Sequence, residues 1–244
     1  MNQSTRYDQK LEHILRTSAR IFAEKSYHST SMRDISRATG VSLAGLYHYC
    51  KSKEELLFLI QDHCFGRVLS RFEQRIKGID DPFEKLRIFI DNHLSFFAAN
   101  MAEMKVLSHE AESLAGDMHK HVSSKKEKYA RQARKILRDI QSVSEARPRG
   151  PQPGSPAGVG RSGRATSAST NVQTRIDLTV ATYALFGMMN WIYNWYDSSG
   201  KLSVNQLVDN MTRLFVNGFL STETAPLTLA DSKLSEKVNI WRTA

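Results

Sequence analysis

Residues 30–56 run Thr30-Ser31-Met32-Arg33-Asp34-Ile35-Ser36-Arg37-Ala38-Thr39-Gly40-Val41-Ser42-Leu43-Ala44-Gly45-Leu46-Tyr47-His48-Tyr49-Cys50-Lys51-Ser52-Lys53-Glu54-Glu55-Leu56. Ser31 with Asp34 is a capping-box variant, which opens a short helix over 32–39. Gly40 ends that helix, because glycine accepts the left-handed conformation past a helix C-terminus. Ser42 caps a further short helix over about 43–49. Ile35, Ala38, Val41 and Leu46 supply a small core, and Ala38 lets the helices approach closely. Two short helices joined by a glycine turn form the helix-turn-helix pattern, whose second helix enters the major groove of DNA. The same elements alone also describe an ordinary helical hairpin.

Outward from this stretch the chain stays helical. Leu11, Ile14, Leu15, Ala19 and Phe22 fall at helical spacing and predict a helix over 7–26. Ser52 with Glu55 is a full capping box opening a long helix to about Lys77. Asp81-Pro82-Phe83-Glu84 starts another, with proline at the first helical position, running to about Asn100. Helices follow over 102–115 and 117–142, the second strongly basic. The stretch 176–196 is apolar on most faces, and 204–219 carries Leu207, Val208, Met211, Leu214 and Phe215 on one side. Asp177, Asn190 and Asn194 argue that 176–196 is buried in a core or interface and does not cross a membrane. No alternating strand pattern occurs, so the expected class is all-α.

Residues 146–170 differ in kind: five Gly, four Pro, four Ser, four Ala and four Arg, with no acidic residue. Such a segment cannot bury enough surface to offset its ordering entropy, so it reads as a disordered insertion. Two origins stay open. One is a genuine loop; the other is a local frameshift, since arginine without lysine amid Gly, Pro, Ala and Ser is what GC-rich codons yield in a shifted frame.

The formal charge of +9 over 244 residues is uneven. Residues 1–53 carry a net +5 and residues 125–175 a net +9, while the remainder is acidic. Basic surface of this kind suits a polyanionic partner. The two cysteines, Cys50 and Cys64, cannot make a disulfide framework, and the start of the chain lacks the apolar stretch of a signal peptide, so a cytoplasmic location is expected. Eight histidines invite a metal, but His109-Glu110-Ala111-Glu112-Ser113 lacks the second histidine of a zincin, and His119 and His121 fall on different helix faces. No phosphate loop or nucleophile elbow is present, so neither catalytic residues nor metal ligands are assigned.

The wording of the N-terminal stretch resembles the DNA-binding domain of the TetR/AcrR family of transcriptional regulators. Ala19, Phe22, Gly40, Val41, Leu46, Tyr47, His48, Lys51, Lys53, Glu54 and Leu56 carry that resemblance. Cys50 departs from it, standing where the family usually has phenylalanine. Residues 184–196 resemble the corresponding helix of regulators that respond to acyl-coenzyme A thioesters. The resemblance implies a helix-turn-helix DNA-binding domain over 1–52, a helical ligand-binding and dimerisation domain over 53–222, and a polar tail over 223–244. It implies no enzymatic activity and no cofactor; an enzyme and a DNA-packaging protein that senses no ligand are the competing classes.

By the same resemblance, Thr30, Ser31, Ser42, Tyr47, His48 and Lys53 would hold phosphates of an operator, with Arg33 beside them. Leu43, Ala44 and Gly45 would lie at base edges, where none can make a bidentate hydrogen bond. A palindromic operator implies a homodimer, with Met188, Trp195, Leu207, Met211 and Phe215 as interface candidates. Phe89, His93, Phe96, Phe97, Met101, Met104, Leu107, Tyr183 and Trp191 are the candidate pocket for a small hydrophobic effector. An acyl-coenzyme A is the first choice, its phosphates attracted by the run Lys125, Lys126, Lys128, Arg131, Arg134, Lys135 and Arg138. An aromatic or drug-like compound is the alternative.

Overall fold

The structure, a computed structural model, describes residues 3–146 and 176–219. All regular elements among the described residues are helical. The first, α1 (Gln3–Lys25), begins earlier than its apolar periodicity indicates. α2 (Met32–Thr39) has the expected reciprocal capping box: the Ser31 hydroxyl accepts from the Asp34 amide at 3.2 Å, and the Ser31 amide donates to the Asp34 carboxylate at 3.0 Å. Gly40 follows with φ 66°, where a side chain would be strained. α3 (Leu43–Tyr47) is shorter than expected, because the chain tightens as the Tyr49 amide donates to the Leu46 carbonyl at 2.9 Å.

α4 (Lys53–Arg75) is capped by Ser52, whose hydroxyl accepts from the Glu55 amide at 3.0 Å. The box is not the full one expected. The Glu55 carboxylate reaches past the cap and takes the amide of Lys51. α5 (Pro82–Ala98) starts at Asp81 as read, with proline in its first turn. α6 (Met101–His109) stops well short of residue 115 and gives way to a 3-10 turn, Ala111–Ser113.

Long-range polar contacts account for that break. The Glu110 carboxylate accepts from the Tyr27 amide at 3.3 Å and from the Ser113 hydroxyl at 2.8 Å, while its carbonyl accepts from Gln61 Nε2 at 3.1 Å. Helix propensity is a weak prior beside such contacts. α7 (Gly116–Ala146) is the longest element described. α8 (Leu178–Asn190) is capped by Asp177 and tightens into a 3-10 turn, Trp191–Asn194, so the expected helix over 176–196 is shorter. α9 (Val204–Phe219) lies where predicted.

Two apolar clusters organise these helices. The first joins Ile14, Ala19 and Phe22 of α1 to Ile35, Leu46, Leu56, Leu57 and Ile60, and reaches Val106, Leu114 and Val122. The second is built by α4, α5, α7, α8 and α9 around Phe72, Phe89, Leu94, Leu137 and Leu185. Phe89 packs edge-on to Phe72 at 5.1 Å and lies 4.7 Å from Tyr129. No helix among the described residues is long and apolar enough to cross a membrane. Apart from Ala146 at the end of α7, the stretch 146–170 lies outside the described residues, as does the tail 223–244.

α9 packs on α5, which corrects three of the interface candidates. Leu207, Met211 and Phe215 are buried in the chain's own second cluster, and Met188 is half-buried against it. Of the expected candidates only Trp195 is outward; with it, Val180, Tyr183, Trp191 and Leu214 are each more than half exposed. Leu207→Ala should therefore unfold the single chain more easily, by about 2–5 kcal/mol, the usual cost of deleting a buried leucine side chain. Chemical denaturation at several protein concentrations checks this; a loss that vanishes under conditions where the chain is monomeric would place Leu207 in an interface instead.

Candidate DNA-reading surface and effector cavity

The head presents α3 outward. Ser42, Ala44, Tyr47 and His48 are exposed there, with Leu43 half-buried, and Arg33 is exposed on α2. The Ser42 hydroxyl accepts from the Gly45 amide at 3.0 Å and so caps α3. Gly45 is half-buried; a Cβ there would stand 3.0 Å from Val41 and 3.1 Å from the Ser42 hydroxyl. This glycine serves close packing of α3 on its own turn more directly than it serves a base edge. Arg37, exposed, lies 3.5 Å from Asp34. Tyr49 stacks on Tyr7 at 4.9 Å and faces the first cluster. Cys50 is buried there, and burial, with Glu55 second, pushes its thiol up to about 11, so it is an unreactive small filler.

Three candidate phosphate contacts are committed elsewhere. Thr30 is 2% exposed, and its hydroxyl donates to the Ser26 carbonyl at 2.8 Å. It thereby closes a turn in which Ser26 holds φ 68°. The Ser31 hydroxyl and amide both belong to the capping box. The Lys53 ammonium donates to the carbonyls of Tyr27 and Thr30, each at 2.9 Å, and sits 4.4 Å from the Tyr27 ring centroid. Thr30 and Lys53 thereby build the inside of the reading head, while Ser31 stays exposed with its hydroxyl engaged in the cap. The signal for Lys53 lies in contacts 23 and 26 residues away, which sequence spacing does not carry.

The body contains a cavity of about 870 Å³ between α4, α5, α6, α7 and α8. Of the nine expected pocket residues it brings together His93, Phe97, Met104, Leu107, Tyr183 and Trp191. Phe89, Phe96 and Met101 do not line it. Phe89 is fully buried behind Tyr129 and Phe186, Phe96 faces a small crevice beside α1, and Met101 packs half-buried against the second cluster. Phe65, Tyr129, Phe186, Asn190 and Tyr193 also form part of the wall, beyond the residues expected from spacing. Among the described residues no group of three or more His, Cys, Asp or Glu is placed to hold a metal.

The basic run on α7 divides in two. Lys125 pairs with Asp62, and Lys128 with Glu73 at 2.7 Å, so these two fasten α7 to α4. Lys126, Arg131 and Arg134 line the cavity instead. Lys126 lies 5.7 Å from the Phe65 ring centroid, and burial pulls its ammonium below the usual lysine range. Arg134 donates to the Thr179 hydroxyl at 2.9 Å, and Arg131 lies 3.4 Å from Glu127. Apolar wall and cationic edge thus belong to one space.

Both halves of the chain have known counterparts. The model of the bacterial regulatory proteins of the tetR family matches residues 14–60. That of the tetracyclin repressor-like C-terminal domain matches residues 80–153 and 164–219. The second match breaks inside the Gly/Pro/Arg stretch singled out by composition. The chain is 30% identical over 91 residues to the fatty acid metabolism regulator protein of Bacillus subtilis, covering 37% of this chain and 47% of that one. It is 36% identical over 80 residues to the HTH-type transcriptional regulator UidR of Escherichia coli K12, covering 32% of this chain and 40% of that one. These matches span less than half the length of either relative. Among solved structures, AibR in complex with isovaleryl coenzyme A and operator DNA superposes with a TM-score of 0.65 at 25% identity, over 84% of this chain and 97% of that one.

The geometry around Lys53 separates two roles. Lys53→Ala should lower the thermal midpoint, since it removes charge-assisted hydrogen bonds worth about 1–3 kcal/mol each to a partly buried turn. It should leave the salt dependence of DNA binding unchanged, whereas loss of a true phosphate contact lowers the slope by about one. Mobility shifts over a salt series decide; a reduced slope returns Lys53 to the DNA surface.

Proposed function

The chain belongs to the TetR family of bacterial regulatory proteins and is a transcription regulator, not an enzyme, and from that premise we propose that it is a cytoplasmic homodimeric repressor which a small hydrophobic effector releases from a palindromic operator. Residues 1–52 form the reading domain and 53–222 the sensing and pairing domain, with 223–244 as a tail. Arg33, Ser42, Tyr47 and His48 supply phosphate contacts from the exposed side of α2 and α3. Leu43 and Ala44 meet base edges, where their reach is limited to apolar contact such as thymine methyl groups. Specificity then owes more to paired half-sites and DNA shape than to direct hydrogen bonding.

A second copy of this chain covers the apolar face of α8 and α9. Val180, Tyr183, Trp191, Trp195 and Leu214 lie outward there, and exposed aromatic surface of this kind is a mark of an interaction site. The aromatic anchors are the usual carriers of pairing energy.

The effector is an acyl-coenzyme A thioester. One observation carries this: Phe65, Phe97, Met104, Leu107 and Phe186 share a single cavity with Lys126, Arg131 and Arg134. Flexible apolar side chains take an acyl chain, and the cations take phosphates. Two similar proteins support the same choice: AibR forms a complex with isovaleryl coenzyme A, and the Bacillus subtilis relative is a regulator of fatty acid metabolism. A flat aromatic compound is the second reading, favoured by the ring-rich edge formed by Tyr183, Trp191 and Tyr193. In either case the effector releases DNA only by as much as it prefers the released arrangement.

Operator mobility shifts with saturated acyl-coenzyme A thioesters of increasing chain length should show release. Lys126→Met and Arg131→Ala should each raise the concentration needed about tenfold, the equivalent of one charge-assisted contact. If no thioester releases the DNA, the effector assignment fails while the regulator reading stands. Trp195→Glu with Leu214→Glu should give a monomer by sedimentation and weaken operator binding by about a hundredfold or more, since two linked heads then bind separately. A dimer that persists in this double variant removes the proposed pairing face.

A further inference from the structure

The inner wall of the cavity holds a polar group whose hydrogen-bonding capacity is unused. His93 is 3% exposed and lines the cavity, and neither ring nitrogen has a hydrogen-bond partner among the described residues. Its neighbours are rings: Phe97 at 4.7 Å, Tyr129 stacked at 5.9 Å and Phe186 edge-on at 6.0 Å. Asn190, also on the wall, lies near enough to favour the protonated ring slightly, yet completes no hydrogen bond of ordinary geometry with it. The Tyr129 hydroxyl and the Asn92 carboxamide also lie near one another without completing a hydrogen bond of ordinary geometry. His93 lines the cavity with both ring nitrogens unpartnered among the described residues, and Asn190 is the polar side chain beside it.

A buried polar group without a partner costs free energy, and a ligand or water that completes its bonds recovers it. Burial holds the imidazole strongly in its neutral form, with a pKa of about 3. A neutral imidazole offers one donor and one acceptor on opposite sides of the ring. It therefore matches an uncharged hydroxyl or carbonyl oxygen. It does not match a carboxylate, whose charge the aromatic wall cannot solvate. A plain methylene chain would leave both nitrogens unsatisfied.

We propose that His93 selects effectors whose acyl group carries an uncharged oxygen, a hydroxyl or keto group, over fully saturated or carboxyl-terminated ones. This inference rests on the acyl-thioester reading of the cavity and deepens it, because it assigns a chemical preference to the acyl part where that reading specifies only an apolar one. His93 here acts as a specificity-determining residue. Its neutrality makes the preference independent of pH across the range where an ordinary histidine titrates.

The test uses the full chain and four thioesters: octanoyl-, 3-hydroxyoctanoyl-, 8-hydroxyoctanoyl- and suberyl-coenzyme A. Binding is read by intrinsic tryptophan fluorescence, and operator release by mobility shift. At least one hydroxylated thioester should bind about tenfold more tightly than octanoyl-coenzyme A, the equivalent of one buried hydrogen bond, and suberyl-coenzyme A should bind weakest. The preference should be the same at pH 5.5 and pH 8. His93→Phe should erase the discrimination while keeping octanoyl binding, and His93→Gln, which retains a donor and an acceptor, should restore part of it.

If octanoyl-coenzyme A binds as tightly as both hydroxylated thioesters, the inference is wrong and ordered water satisfies His93, while the acyl-thioester reading survives. If none of the four binds, both fail together. Should His93→Phe not fold, the ranking of the four thioesters on the unaltered protein still decides.

Discussion

The structure turns on a buried carboxylate at the junction of its two clusters. Glu110 is 8% exposed, and its two oxygens are held by the Tyr27 amide and the Ser113 hydroxyl. Its own carbonyl is held by Gln61 of α4. A carboxylate in that position is tolerated only because donors surround it. Those donors come from three separate stretches: the turn after α1, the middle of α4, and the 3-10 turn after α6. The polar junction thus makes α6 end where it does, and it joins the cavity's wall to the reading head. Met104, Leu107 and Ser108 line the cavity within two turns of Glu110. An effector pressing on that part of α6 would press on the turn that carries Tyr27. The same turn is gripped from the other side by Lys53, which donates to the carbonyls of Tyr27 and Thr30. The head cannot easily reorient without disturbing one of these two sets of bonds.

What the sequence showed well was local. Ser31 with Asp34, Gly40, Ser42, Ser52 and Asp81-Pro82 are signals whose whole mechanism lies within four residues, and each marks a helix end in the structure. What it hid was which partner covers each face. On α9 the spacing identified an apolar stripe of Leu207, Met211 and Phe215 but not its occupant, which is α5 of the same chain. On α5 the residues Phe89, His93, Phe96 and Phe97 all point into one broad sector at 3.6 residues per turn. Only the positions of the neighbouring helices divide them, leaving His93 and Phe97 on the cavity, Phe89 behind it and Phe96 at the crevice beside α1. Thr30 and Lys53 follow the same rule from the polar side. Their partners lie on the turn after α1, which a family resemblance that assigns them to DNA phosphates does not show.

Charge needed the same division. From the sequence, the basic run of α7 is expected to attract phosphates as a group. Lys125 and Lys128 instead hold acidic residues of α4 and act as fasteners between helices. Lys126, Arg131 and Arg134 border the cavity. Residues 126, 130 and 134 repeat every four positions, so the inward stripe was legible as a helix face once a cavity was suspected. The four arginines of 147–164 all lie outside the described residues. Among the described residues, the charge that the proposed DNA surface can use is that of the head, less Lys53.

Tyr183 and Trp191 belong to two surfaces at once. They border the cavity, and they stand outward among the exposed apolar residues proposed to meet a second copy. Any molecule that fills the cavity to its edge changes what those two rings touch. Any partner seated on them changes how open the edge is. In the proposed dimer, effector binding and pairing would be linked through shared atoms, with no need for a signal to cross the protein. The linkage is reciprocal by thermodynamic necessity: an effector that favours one pairing geometry must itself bind more tightly to that geometry. With Glu110 tying α6 to the head, the cavity is bounded on one side by the rings proposed to meet a second copy and on the other by the helix joined to the head. Under the proposed function, a ligand in that space would act on both, and its effect on DNA would be limited by the difference between its affinities for the two arrangements, whatever its total affinity.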